Sequence, residues 1–370
     1  LIQSGYAFAA WCLPGKSDIK LAISLQEVKQ LEDFQLSNCD PGFLMNAYDD
    51  HHPVKPYHIP ADILLQAEKT QIDPKVTGDD IDLLMDRVAD VENSSINSQP
   101  SSTPQASNGR NEFEDFVAEA IQQIKSGFFE KVVLSRYREE LLPEDFTPWK
   151  FFLDVCKQYP KAFCSLTYVP EKGLWLGATP ELLLSNGATS FRTVALAGTK
   201  ALEPNQTLGE IAWTQKEIEE QALVSRYIIN CFKKLRLREF HEHGPKTVQA
   251  GTLAHLKTEF VVHYDEVHFD ELANQMLNLL HPTSAVCGMP IEQAKPWIKE
   301  VESHEREFYA GFLGPVQLED RTDIFVNLRC MKIKNGLIRF YAGAGITEDS
   351  NPEKEYEETE MKMNILKGLL

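Results

Sequence analysis

The stretch DIFVNLRCMKIKNGLIRFYA, residues 323–342, sets how the second half of the chain is laid out. It reads as two strands, Asp323–Ile333 and Leu337–Ala342, joined by the short turn Lys334–Asn335–Gly336. So short a connection reverses the chain, and the two strands pair antiparallel. Upstream, strands are expected at Lys131–Tyr137, Ala162–Tyr168, Leu174–Ala178, Glu181–Ser185 and Thr189–Ala197, several of them again separated by only a few residues. Phe113, Phe116, Val117, Ala120, Ile121 and Ile124 follow the i, i+3, i+4 spacing of an amphipathic helix, and Gly127 follows its last turn. Further helices are expected over 80–91 and near 147–158, 209–236, 268–280, 291–301 and 353–369. The fold class is therefore α/β in content (α+β in arrangement), with mainly antiparallel sheets rather than a doubly wound parallel one. No internal repeat is present.

Residues 1–92, with short apolar runs at Tyr6–Cys12 and Ile19–Leu25, form a smaller N-terminal portion. Residues 93–111, NSSINSQPSSTPQASNGRN, read as a linker or mobile loop, and 112–370 as the main body. With 43% hydrophobic and 25% charged residues in 370, the chain has the composition of a globular protein with ample core. Its net charge of −18 disfavours nucleic acid and anionic lipid as partners. An acidic protein that handles a small anion needs a local cluster of cations or a metal ion. The seven cysteines are widely spaced and never form C-x-x-C, which points to reduced thiols in a cytoplasmic protein. No stretch approaches the ~20 apolar residues of a membrane span.

Two helices carry acids on their apolar sides. Turning 100° per residue from Val224, the positions Glu217, Glu220, Ile228, Cys231 and Leu235 fall within roughly 40°. From Ile365, Glu358, Met361 and Leu369 fall within roughly 40° and Lys362 near 60°. Carboxylates on such a face are either wet residues at a helix N-terminus, favoured by its dipole, or ligands of a hard cation such as Mg²⁺. Tyr341–Ala–Gly–Ala–Gly–Ile346 lacks the third glycine of a dinucleotide fingerprint; it is either a strand-end turn or a backbone cradle for a carboxylate. Asp49–Asp–His–His52 with His58, and His241–Glu–His243, lack zinc-helix spacing and read as solvated loops. There is no G-x-S-x-G and no Walker A motif.

In its ordered blocks the chain resembles the chorismate-utilising enzymes, which include isochorismate, salicylate, anthranilate and aminodeoxychorismate synthases. The blocks are Lys131–Val–Val–Leu–Ser–Arg136, Gly177–Ala–Thr–Pro–Glu–Leu–Leu183, Leu196–Ala–Gly–Thr199, Lys216 to Glu220, His281–Pro–Thr283, Glu302 with Arg306 and Tyr309, Leu328–Arg–Cys330, and Tyr341 to Ile346. The resemblance covers roughly residues 111–370 and implies a sandwich of two packed, mainly antiparallel sheets with flanking helices. It implies Mg²⁺ held by Glu220 and Glu358, with Glu217 and Glu355 near enough to serve through water, and chorismate as the substrate. Arg329, Lys362 and the backbone at Gly343 would take the enolpyruvyl carboxylate, and Gly198, Thr199 and His255 would line the ring. Tyr341 joins the substrate-binding set.

Lys131 matches the position at which members that add water carry Lys and members that use ammonia do not. Glu181 matches the family's general acid. The reaction this implies is attack of water at C2 of chorismate with loss of the C4 hydroxyl, giving isochorismate. Ala285, in the loop after His281–Pro–Thr283, matches members that stop there; Val286, Phe308 and Leu328 match apolar wall positions. The alternatives are a salicylate synthase that goes on to eliminate pyruvate, an ammonia-using synthase subunit, and a non-catalytic acidic binding protein. No glutaminase-type Cys-His-Glu arrangement is apparent, so no glutaminase subunit is expected. The helix Lys216–Glu–Ile–Glu–Glu220 departs from the commoner Lys-Asp, and Gln221 replaces a frequent His.

Overall fold

The turn at Lys334–Gly336 does reverse the chain. Asn335 and Gly336 both lie at positive φ (53° and 74°), the geometry of a tight hairpin, and Lys334 pairs with Leu337 in an antiparallel register. The structure is a computed structural model describing residues 1–48, 53–66, 69–89, 103–107, 109–202, 206–250 and 253–370. Its strands form two sheets in which every neighbouring pair is antiparallel. The first runs Gly288–Met289, Lys131–Leu141, Leu337–Ile346, Cys330–Lys334, Gly173–Thr179, Phe163–Val169, Phe8–Cys12, Ile19–Ile23, Ile63–Gln66 and Lys69–Ile72. The second runs His241–Ala250, Leu253–His263, Ser190–Ala201, Leu182–Asn186, Thr322–Val326, Phe312–Val316, Gly42–Asn46 and Tyr57–Pro60.

Aromatic side chains join the layers. Phe163 of the first sheet stacks on Phe325 of the second at 4.1 Å between centroids, and Trp11 meets Phe43 at 5.4 Å. Seven α-helices form among the described residues: α1 Gly78–Ala89, α2 Arg110–Lys125, α3 Pro148–Gln158, α4 Gln215–Lys234, α5 Leu272–Leu280, α6 Ile291–Val301 and α7 Pro352–Lys367. Helices α3 and α7 pack on the first sheet, with Phe152, Val155, Met363 and Leu366 buried against Leu176 and Phe340. Helices α4 and α5 pack on the second. No helix is long and apolar enough to cross a membrane among the described residues.

Several elements differ from the sequence reading. The run Asp323–Ile333 is two strands in different sheets, broken at 327–329. There the Asn327 side chain donates to the Phe308 carbonyl, and Arg329 adopts φ 47°. Helix α4 starts at Gln215 rather than near 209, because Thr214 and Glu217 form a capping box; 208–210 is a separate 3₁₀ turn. The Leu337 strand continues to Ile346, so Tyr341–Ile346 is strand interior and not a strand-end turn. His241–His243 lies in an exposed strand, not a loop, and that strand pairs with Leu253–His263. Asp49–His52, 90–102 and Asn108 lie outside the described residues. Of the polar stretch before α2, Gln105 and Ser107 bond along the Lys131–Leu141 strand. All seven cysteines are free thiols.

Candidate active site

The site begins with an interruption in the second sheet. Strand Ser190–Ala201 shifts register against Leu253–His263 between Ala197 and Lys200, and Gly198 sits at the break with φ 67°. The bulge turns the polar backbone groups of Gly198 out of the ladder. Its N–H donates to Oε2 of Glu220 at 3.3 Å, and its carbonyl accepts from Nδ1 of His255 at 2.9 Å. Thr199 Oγ1 lies 3.4 Å from the same nitrogen. Burial, helped by the charge of Arg329, pushes the His255 pKa down to about 3, so the ring is neutral. Donation from Nδ1, assigned from its contact with the carbonyl, leaves Nε2 as an acceptor. That buried atom has no partner among the described residues.

Glu220 lies in the second turn of α4, and its Oε1 accepts from Nζ of Lys131 at 2.8 Å. Burial works to raise the Glu220 pKa, but the neighbouring cations, Lys131 foremost with Lys216 and Lys362, together outweigh it and hold the carboxyl below its usual range. Lys131, 1% exposed, is the first residue of its strand. Gly345 makes room for the pair: a Cβ there would stand 2.7 Å from Glu220 Oε1 and 3.2 Å from Lys131 Cε. On α7 the same pattern recurs, with Glu358 2.5 Å from Lys362 one turn on, and Lys362 Nζ donating to the Gly343 carbonyl at 2.8 Å.

Glu181 enters from the second sheet, just ahead of strand Leu182–Asn186, and is buried. Burial raises its carboxyl to about 7, against the opposing charges of Lys131, Arg329 and Lys362. Arg329 sits where the chain crosses between sheets. Burial lowers its pKa, and its guanidinium has no hydrogen bond or ion pair among the described residues.

These side chains wall a cavity of about 60 Å³. Glu181, Gly198, Thr199, Glu220, His255, Ala285, Arg329, Gly343, Glu358 and Lys362 line it. Lys131 stands behind Gly345 and reaches the cavity through Glu220. Val286 and Leu328 also line it.

Four expected positions do not face the cavity. Tyr341 is sandwiched between Trp175 and Tyr309, 5.4 and 5.5 Å away, and its hydroxyl donates to Glu307. Glu217 is held at the capping box by the Thr214 N–H, and Glu355 is 2% exposed and paired with Lys216 at 2.5 Å. Phe308 packs edge-on against Trp175 and Tyr57. The buried face of α7 also differs from the expected one: Glu355, Thr359, Lys362, Met363 and Leu366 point inward, a turn of about 100° from a face centred on Ile365.

Two contributions were not assigned from sequence. Tyr309 lines the cavity, and its hydroxyl would lie 2.8 Å from a Cβ at Gly343. Glu302 and Arg306 form a buried pair at 2.6 Å, from which Arg306 donates to the carbonyls of Val133 and Val286, both wall residues. The spacing Glu302, Arg306, Tyr309 carried this signal.

Among the described residues no three His, Cys, Asp or Glu side chains stand together as a metal site. Glu220 and Glu358 nevertheless fit a hard divalent cation. Both carboxylates line the cavity, each is at present neutralised by a lysine, and Mg²⁺ takes one or two protein carboxylates while keeping several waters.

The family model described as "Chorismate binding enzyme" matches residues 61–370. The isochorismate synthase EntC of Escherichia coli (strain K12) is 30% identical over 260 residues, covering 69% of this chain and 66% of that protein. The anthranilate synthase component 1 of Saccharolobus solfataricus is 28% identical over 269 residues, covering 70% of this chain and 62% of that protein. The match thus spans slightly less than two thirds of these relatives' lengths. The solved structure of MenF, the menaquinone-specific isochorismate synthase from Escherichia coli, superposes with a TM-score of 0.79 at 20% identity, over all of this chain and 89% of that one. The fold is shared, and with a family match running from the first-sheet strand at Ile63 through α7, the chain belongs to the chorismate-binding enzymes.

Proposed function

We propose that this protein is an isochorismate synthase, converting chorismate to isochorismate in a Mg²⁺-dependent reaction without a glutaminase subunit. The reading is carried by Glu181, a carboxyl held near pH 7 by burial in a cavity shared with an unpaired guanidinium and bordered by an inward lysine. Arg329 and Lys362 hold the enolpyruvyl carboxylate. Neutral His255 accepts a hydrogen bond at Nε2 and positions the ring, beside Gly198 and Thr199. Glu220 and Glu358 would hold Mg²⁺, whose charge would fix the ring carboxylate.

Lys131 takes a proton from the water that adds at C2, and Glu181 gives a proton to the C4 hydroxyl, which leaves as water while the ring double bonds shift. Atoms balance, since one water enters and one departs. To act as base Lys131 must let go of Glu220, which the metal would then engage. The cavity of about 60 Å³ falls short of the ~300 Å³ of small ligand sites, so substrate entry also requires the two Lys–Glu pairs to move apart.

The test is incubation with chorismate and Mg²⁺, without ammonia, followed by chromatography. Isochorismate alone is expected. Salicylate with pyruvate would establish the lyase instead, and no turnover would refute an enzymatic role.

A further inference from the structure

A second cleft opens behind the wall made by Pro180, Leu196 and His255, residues that line both it and the inner cavity. It encloses about 330 Å³, and its lining carries five cationic side chains, Lys16, Lys161, Arg192, Lys257 and Arg321, against one carboxylate, Asp323. In a chain of net charge −18 this is a strong local reversal of sign. Asp323 is occupied by Arg321 at 2.7 Å, and Lys257 stands 3.8 Å from Glu259. Lys16, Lys161 and Arg192 have no side-chain hydrogen bond or carboxylate partner among the described residues.

Like charges gathered without counter-ions repel, and a bound anion relieves that repulsion. The cations come from both sheets. Lys16 and Lys161 flank first-sheet strands Phe8–Cys12 and Phe163–Val169, and Arg192 belongs to the second sheet. Between them the walls are apolar, from Leu13, Leu182, Val194 and Phe325. A simple inorganic anion leaves those walls wetted, and a polyanion meets the repulsion of the whole chain. A compact apolar body with an anionic group at each end satisfies both.

We propose that this cleft is a binding site for a small organic dicarboxylate with a ring-like apolar body, separate from the inner cavity. Isophthalate is the probe, titrated calorimetrically into the intact protein without chorismate or divalent metal, so the outcome does not depend on whether chorismate is turned over. Saturable binding at one site is expected. Arg192→Gln combined with Lys161→Gln should weaken it at least tenfold, the exposed Lys16→Gln alone should weaken it severalfold, and Lys362→Gln in the inner cavity should leave it within twofold. Absence of saturable binding would overturn the proposal. So would loss on Lys362→Gln with retention in the outer variants, which would place the probe in the inner cavity. Inorganic phosphate binding as tightly as isophthalate would overturn the organic dicarboxylate assignment.

Discussion

Lys131 donates to Glu220 at 2.8 Å across 89 residues of sequence, tying strand Lys131–Leu141 of the ten-stranded sheet to the second turn of α4. The same contact joins the proposed base to a proposed metal ligand, so the two roles separate by substitution. Lys131→Ala should lower kcat by about 10²–10⁴, the usual worth of a general base, with chorismate still bound in equilibrium dialysis. Glu220→Ala should instead raise the Mg²⁺ concentration needed for half-maximal rate. Equal effects of both on kcat alone would refute the division.

Glu181 should govern the alkaline limb of the pH profile. The group must be protonated to act as an acid, so the rate should fall as pH rises through about 7, and Glu181→Gln should abolish both rate and limb. Stability follows with its own sign. In the folded protein the carboxyl titrates near 7, above its ordinary 4.5, so the folded state holds the proton more tightly. Its destabilising effect is absent below 4.5 and complete above 7. Urea unfolding of Glu181→Gln should therefore show a gain of about 2–3 kcal/mol at pH 8 and none at pH 4.

Two glycines of one strand should behave differently when given a methyl group. At Gly345 the new Cβ meets the end of the Glu220 side chain, which can swing, so Gly345→Ala should fold nearly as well while losing activity. At Gly343 it meets the Leu134 carbonyl at 2.9 Å and the Tyr309 hydroxyl at 2.8 Å. Backbone cannot swing, and Gly343→Ala should cost about 1–3 kcal/mol in thermal or urea unfolding.

Acid should weaken the fold through histidines remote from the cavity. Burial pushes His281 down to about 3 and His304 to about 4, from an ordinary 6.5. Stability is unaffected above 6.5 and is lost as pH falls below it, because only the unfolded chain takes up the proton. At pH 5 each should cost about 2 kcal/mol relative to pH 7, and His281→Asn or His304→Asn should shrink the pH 7-to-5 difference in urea unfolding by that amount.

The hairpin at Asn335–Gly336 and helix α2 were legible because turn chemistry and a 3.6-residue period are local signals. The crossing at Asn327 was not, since residues 323–333 read as one continuous strand and the break is imposed by a distant carbonyl, that of Phe308. The face of α7 was misplaced for a related reason. The stripe centred on Ile365 with Glu358, Met361 and Leu369 follows the apolar positions, whereas the helix buries Glu355 and Lys362 because Lys216 and the Gly343 carbonyl satisfy them, a rotation of about one residue. Most cavity positions came from motif resemblance rather than periodicity. Tyr341 shares a strand face with Gly343 and Gly345, and only the rings of Trp175 and Tyr309, brought in from elsewhere in the chain, close it into an aromatic stack.

Arg329 hangs from three residues, 327–329, that pass from Val326 in one sheet to Cys330 in the other. Its guanidinium therefore registers how the two layers are aligned. A slip of one against the other, started by a core substitution far away, would tilt this arginine together with Leu328, and would be felt as a weaker grip on the carboxylate proposed to bind there.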